Sequence, residues 1–404
     1  MALILEMMLV FPAYASGESP VIHGEAAYLL DVQSGQMLYS KNGDEQLPPA
    51  STTKIMTALL ALEQGHLQDT VTAGPTLLNR QEVYGTQIYL AQGEHMPLKD
   101  LLYAILLNSA NDAAVAVAEH VGGTLSQFIE MMNSRAAEIG MTRTHFVNST
   151  GLNAEGHVTT AHDLALLARV AYQNPTFLSY TRTKTQPIPR TTPNTPVLMV
   201  NENRLLARDS DVNGMKTGYT SQAQNCLVAS AERNGRQVVG VILKSPGGEM
   251  FSDMQALLNY GFENFATSVY QKAGSRFASL PVGKAEVGLV SATDIYRTQR
   301  RGSDAPGLKM TLSNLRQGLD SVKKGEKLGQ VQVWEGGFLL QRVDLLADHS
   351  VDPPEKTGSV SGYMAAYVLA ALLTVITLLA FYRAYLKAAR FKQNRQRKRG
   401  EPSP

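Results

Sequence analysis

One cysteine in 404 residues, Cys226, rules out an intrachain disulfide, so the fold must stand on its apolar core. The thiol sits in the run Cys226-Leu227-Val228-Ala229, which reads as a buried strand, and a buried apolar thiol is inert. An excess of one charge sign is missing from the body of the chain. The formal net charge is +2; Arg383 to Pro404 carries eight Lys/Arg and one Glu, or +7, which leaves about −5 for the rest. A mildly acidic body does not suit nucleic acid. The eight histidines, His157 and His162 among them, show no His-Glu-x-x-His spacing. No metal and no other cofactor is expected. Internal repeats are absent too.

What is present is a globular composition, 44% apolar and 18% charged, at a length that suits two domains and accessory segments. Residues 1–15 read as a secretory signal: Met1 to Val10 is apolar, and Ala13-Tyr14-Ala15 matches a small-residue cleavage pattern. Tyr363 to Tyr382 is a stretch of twenty residues with no charge. At about 1.5 Å per residue it spans a hydrocarbon core of about 30 Å. The basic residues from Arg383 to Arg399 would hold the tail, 383–404, in the cytoplasm. Everything before Tyr363 then lies outside the cell, in agreement with the signal. Val351 to Gly362, with Pro353-Pro354, reads as a linker.

Between these segments, Ala27 to Tyr39 reads as two short strands around Ser34-Gly35. Helices are expected from Ser51 toward Gly65, then over Leu98 to Leu107, Asp112 to His120, Leu125 to Ile139 and Ala161 to Tyr172. Thr160 and Asp163 form a capping-box start for the last of these. Cys226 to Glu232 and Gln237 to Leu243 flank Asn234-Gly235, the strongest short hairpin signal. A helix around Asp253 to Asn259 closes a domain spanning 16–265. The stretch 266–350, strand-like runs between Gly-rich turns, reads as a small β-rich domain. The fold expected is α/β: an antiparallel sheet of early and late strands, with a helical cluster inserted between them.

Three motifs follow in order: Ser51-Thr52-Thr53-Lys54, Ser109-Ala110-Asn111 and Lys216-Thr217-Gly218. Ser51 and Lys54 share one helix face, and the apolar flank Ile55, Met56, Leu59 can desolvate the amine. With Lys216 as a second cation nearby, Lys54 can fall far enough in pKa to take the serine proton. Ser109 can relay a proton to a leaving amine, and Asn111 can bind a substrate backbone. Gly218 on an edge strand admits a peptide, and Lys216 and Thr217 can grip a terminal carboxylate. Taken alone, the first two motifs fit plainer roles: a serine cap with a surface lysine, and helix capping by Ser109 or Asn111. Each also has a decoy, in Ser321-Val322-Lys323-Lys324, Ser40-Lys41-Asn42 and Lys356-Thr357-Gly358. The decoys lie in a charged turn, a polar turn and the Pro-rich linker.

With their surroundings, Leu47 to Thr57, Asn108 to Ala114 and Asn213 to Thr220, the motifs resemble those of the low-molecular-mass penicillin-binding proteins that act as D-Ala-D-Ala carboxypeptidases, the S11 serine peptidase family. Asn148 to Asp163 looks family-like as well. The resemblance implies a β-lactamase-like fold and removal of the terminal D-alanine from peptidoglycan stem peptides through an acyl-enzyme on Ser51. It implies an oxyanion hole from the backbone amides of Ser51 and Tyr219, and covalent capture of β-lactams at Ser51. It departs from the pattern in the long apolar segment Tyr363 to Tyr382, where relatives often carry an amphipathic anchor. Gly247-Gly248-Glu249-Met250 also stands where some relatives place an arginine that assists carboxylate binding. A β-lactamase would need a deacylating Glu-x-x-Leu-Asn, which is missing between Asn111 and Lys216. The same three motifs would also serve a peptidoglycan endopeptidase, or a non-catalytic penicillin-binding wall sensor.

Overall fold

Ala26–Asp31 (β1) and Met37–Lys41 (β2) form an antiparallel pair around a turn in which Gly35 takes a φ of 74°. They join three late strands, Val212–Thr220 (β3), Gln224–Arg233 (β4) and Arg236–Ser245 (β5), in one sheet of order β2-β1-β5-β4-β3. Every neighbouring pair in it is antiparallel. Asn234 and Gly235 both take positive φ at the β4–β5 turn, the backbone that a tight hairpin of this twist requires. The computed structural model behind this description covers residues 18–193, 195–303, 307–353 and 360–398. The expected signal, the decoy Lys356-Thr357-Gly358, half of the linker and the tail beyond Lys398 lie outside the described residues.

Between β2 and β3 the chain forms a helical cluster: Lys54–Gln64 (α1), Leu98–Leu106 (α2), Asn111–Gly122 (α3), Leu125–Ile139 (α4), Ala161–Gln173 (α5) and Pro175–Arg182 (α6). Met250–Asn264 (α7) follows the sheet. Strand residues divide by parity. Tyr28, Leu30, Cys226, Val228, Val239 and Val241 pack with the helical cluster, whereas Leu29, Leu227, Ala229, Val238 and Ile242 pack with α7. A sheet covered on both faces needs apolar residues at every position, which is why these strands read as continuous runs rather than alternations.

Three expectations change in detail. The helix expected from Ser51 begins at Lys54; Ala50–Thr53 is a 3-10 turn feeding it, and its tighter i→i+3 bonding is common at helix starts. The capping box at Thr160 is half formed. Thr160 Oγ1 accepts from Asp163 N at 3.0 Å, but the Asp163 carboxylate turns instead to Arg143 N and Thr144 Oγ1. The C-terminal helix (α8) runs over Val360–Lys398, well past the apolar stretch.

The stretch after α7 carries seven strands: Phe265–Gln271 (β6), Arg276–Val282 (β7), Ala285–Ser291 (β8), Ile295–Arg300 (β9), Lys309–Ser313 (β10), Lys327–Glu335 (β11) and Phe338–Ala347 (β12). Here β6 pairs with β9 and β10 with β11, both antiparallel. The chain divides into two compact units. The first comprises Met1–Arg276, Val290–Leu315 and Gly329–Leu345; the second comprises Phe277–Leu289, Arg316–Leu328 and Leu346–Pro404. All three motifs of interest lie in the first.

Candidate active site

The 3-10 turn presents Ser51 at its open end, half-buried, and the next turn of helix brings Lys54 beneath it. Lys54 is wholly buried, with Ile55, Met56, Leu59 and Leu60 of the same helix at 3% exposure or less. Each such apolar side chain contributes about 1.5–3 kcal/mol by burial, whereas a buried ammonium costs several kcal/mol unless it loses its proton. Burial, and after it the charge of Lys216, hold the Lys54 amine well below the ordinary lysine value; Glu202 and Asp112 pull more weakly the other way.

The contacts of Lys54 Nζ decide how that amine is used. It lies 2.6 Å from Asn111 Oδ1, 2.7 Å from the Thr150 carbonyl and 2.9 Å from Ser51 Oγ. Asn111 donates its Nδ2 to the Tyr84 carbonyl, which fixes the amide so that Oδ1 faces the lysine. The first two partners are therefore pure acceptors and take both hydrogens of a neutral amine. Its lone pair is left for Ser51, the one partner able to donate a proton.

Neighbouring segments hold this arrangement. Asn148 Oδ1 accepts from Thr150 N and from Gly151 N, at 3.2 and 2.7 Å, and shapes the turn that aims the Thr150 carbonyl at Lys54. Thr53 Oγ1 meets His157 Nε2 at 2.9 Å, while His157 Nδ1 accepts from Val147 N. The imidazole is thus a neutral ring protonated at Nε2, and burial lowers its pKa to about 4. Asp112 accepts from the backbone N–H groups of Ile88 and Leu90, tying the loop that carries Tyr84 to the head of α3.

Ser109 lies in the turn between α2 and α3, buried, with a left-handed φ of 60°. The flanking bonds Ala110 N to Ala104 O and Asn111 N to Thr86 O hold it there, at 3.0 and 2.8 Å. Ala50 and Met215, just before the other two motifs, also have positive φ. Such strain persists only where its surroundings impose it, and it concentrates at functional sites. At Met215 it follows a bulge between Val212 and Gly214 at the start of β3, an edge strand.

That strand carries Lys216, Thr217 and Gly218 past Ser51. At Gly218 a Cβ would stand 2.9 Å from Ser51 N and 3.0 Å from Ala50 Cβ, a constraint within the chain that the motif alone does not reveal. Glycine lets the strand lie against the 3-10 turn that carries Ser51. Lys216 is buried, and burial lowers its pKa, opposed by Glu202. Ser51 N, at the start of a helical turn, has no intrahelical acceptor. Tyr219, the next residue of β3, leaves its side chain 66% exposed.

These residues line a cleft of about 520 Å³, formed by Ser51, Ser109, Thr217, Gly218 and Tyr219 with Thr86, Glu202, Arg204, Asn225, Gly247 and Gly248. A larger cleft, about 700 Å³, is lined by Arg135, Arg169, Asp294 and Arg342 and has no nucleophile–amine pair. Glu202 and Arg204 carry no motif, and nothing in the local sequence marks either as part of a site. Among the described residues no group of three or more His, Cys, Asp or Glu side chains is placed to hold a metal ion. Of the decoys among the described residues, Ser321 and Lys324 are exposed in the second unit, and Ser40-Asn42 ends β2 in a turn.

Residues 14–247 match the peptidase S11 family, described as D-alanyl-D-alanine carboxypeptidase. The chain is 32% identical over 325 residues to D-alanyl-D-alanine carboxypeptidase DacF of Bacillus subtilis, covering 78% of this chain and 82% of that one. It is 31% identical over 357 residues to D-alanyl-D-alanine carboxypeptidase DacC of Escherichia coli, covering 85% and 88%. Among solved structures, penicillin binding protein 5 from Haemophilus influenzae superposes with a TM-score of 0.65 at 28% identity, over 83% of this chain and 100% of that one. A Streptomyces DD-transpeptidase does so with a TM-score of 0.57 at 31% identity, over 61% and 99%.

Proposed function

We propose, for a chain that belongs to the S11 family of D-alanyl-D-alanine carboxypeptidases, that Ser51 is its acylated nucleophile and Lys54 the base that activates it. The activity is that of a serine-type D-Ala-D-Ala carboxypeptidase with a β-lactamase-like fold. The observation that carries the residue assignment is the set of three contacts around Lys54 Nζ, in which Ser51 alone can donate.

In this reading neutral Lys54 takes the Ser51 proton as Oγ bonds to the carbonyl carbon of the penultimate D-alanine of a peptidoglycan stem pentapeptide. The N–H groups of Ser51 and Tyr219 stabilise the oxyanion. The C–N bond breaks, the leaving D-alanine amine receives a proton through Ser109, and an ester on Ser51 remains. Water then hydrolyses the ester, giving up its proton to the same base. Lys216 and Thr217 hold the terminal carboxylate, and Gly218 presents the β3 edge to the peptide. Asn111 keeps a second Nδ2 hydrogen for the substrate backbone. β-Lactams acylate Ser51 by opening their ring amide. The apolar helix from Tyr363 anchors the chain in the bacterial membrane, with the catalytic unit outside and the basic end in the cytoplasm.

Ser51→Ala is expected to abolish both covalent penicillin labelling and D-alanine release from a D-Ala-D-Ala pentapeptide. Ser321→Ala is expected to change neither. Loss of labelling in Ser321→Ala would overturn the assignment; labelling of the wild type with no D-alanine released would favour a non-catalytic sensor.

A further inference from the structure

Glu202 lies outside all three motifs, yet its carboxylate reaches the residues that the proposed function assigns to the substrate's terminal carboxylate. Oε2 accepts from Thr217 Oγ1 at 2.7 Å and lies 3.4 Å from Lys216 Nζ. A hydroxyl has one hydrogen to donate, so Thr217 cannot serve Glu202 and a bound carboxylate together. Two carboxylates at one ammonium also repel each other.

The backbone of this segment is pinned. Glu202 N donates to the Leu107 carbonyl, Asn201 Nδ2 to the Thr181 and Thr183 carbonyls, and Asn203 Nδ2 to the Gly214 carbonyl. The Glu202 side chain, by contrast, is 41% exposed and lines the cleft, so it can leave Thr217 for solvent without moving the chain. The charged groups around it are Lys216 on β3 and Arg204 on its own segment, with the neutral Lys54 amine on α1 behind them. Lys216 is buried and paired with Glu202, so its charge is taken up while Glu202 remains.

We propose that Glu202 is a specificity-determining residue, an internal carboxylate that occupies the terminal-carboxylate seat on Thr217 and Lys216 until a substrate's own carboxylate displaces it. The inference rests on the reading of Lys216 and Thr217 as carboxylate anchors. Its consequence is a brake on acid-ended peptides that leaves peptides with an uncharged terminus unaffected.

The test measures steady-state kcat and KM of the full-length wild type and of Glu202→Gln on two peptides, identical except that one ends in D-Ala-D-Ala acid and the other in its amide. Glutamine keeps an acceptor for Thr217 and removes the charge. For the acid, Glu202→Gln is expected to lower KM about fivefold, the scale of one partly exposed charge pair. For the amide, KM is expected to stay at its wild-type value, with any rise in kcat from the lost pull of Glu202 on Lys54 common to both peptides; the far-UV circular dichroism of the variant shows that it is folded. An acid KM that is unchanged or higher overturns the proposal. So does a common fall in kcat on both peptides, which would make Glu202 a positioning residue for Lys216. If the wild type turns over acid and amide with equal kcat/KM, the anchor reading itself fails and takes the proposal with it.

Discussion

A protonated Lys54 would have three hydrogens for its three acceptor-capable neighbours, and nothing in the contact distances alone forbids that state. Burial and the nearby charge of Lys216 decide against it. The sign of the pH dependence follows. In the proposed mechanism the base works only when neutral, so acylation is expected to rise with pH through the pKa of Lys54, and a neighbouring cation moves that rise to lower pH. Lys216→Met removes the cation and is expected to shift the acid limb of the penicillin acylation rate to higher pH. Following the position of the limb, not the absolute rate, separates this effect from lost substrate binding. A limb that stays in place or moves down would show that Lys216 does not tune the amine.

At the scale of elements, three pieces of backbone converge: the 3-10 turn before α1, the α2–α3 turn and the Thr217–Tyr219 portion of β3. Their closest meeting point is Gly218 against Ser51 and Ala50. Both atoms met first belong to backbone or Cβ, so neither can rotate away. Gly218→Ala is expected to fold with a loss of about 1–3 kcal/mol, the usual result of overpacking. Acylation is expected to fall at least tenfold, because displacements near 1 Å are costly at a reacting centre, by about 100-fold at worst. Denaturant unfolding and labelling kinetics on the same sample check both numbers. An unchanged acylation rate would mean that the strand and the nucleophile turn are not coupled.

At the scale of the whole molecule, α8 stands out. Its 39 residues extend to roughly 58 Å at ~1.5 Å per residue, about twice the hydrocarbon thickness of a bilayer. In the apolar portion beginning at Tyr363, the most apolar window has a mean hydropathy of 2.4 and none of its residues is buried. The helix therefore continues past the apolar stretch into the basic segment that includes Lys387, Arg390 and Lys392. A chain ending before Tyr363 is expected to leave the membrane fraction and to keep its kcat on a soluble pentapeptide. Continued sedimentation with membranes would assign the attachment to another part of the molecule.

The sequence by itself determined the elements whose signals are local. The Asn234-Gly235 hairpin, the helix over Leu125–Ile139 and the apolar span starting at Tyr363 each follow from neighbours a few residues apart. The motifs, with their apolar or polar surroundings, also separated Ser51-Lys54 from the charged decoy at Ser321-Lys324. Only the tertiary structure decided what depends on residues far apart in the chain. Thr150 and Asn111 take the two hydrogens of Lys54 from 96 and 57 positions away. Glu202 reaches Thr217 from a segment with no motif at all. Hydrogen bonding is directional and short in range, so a side chain's partners are set by where the fold returns the backbone, and periodicity along the sequence carries no record of that.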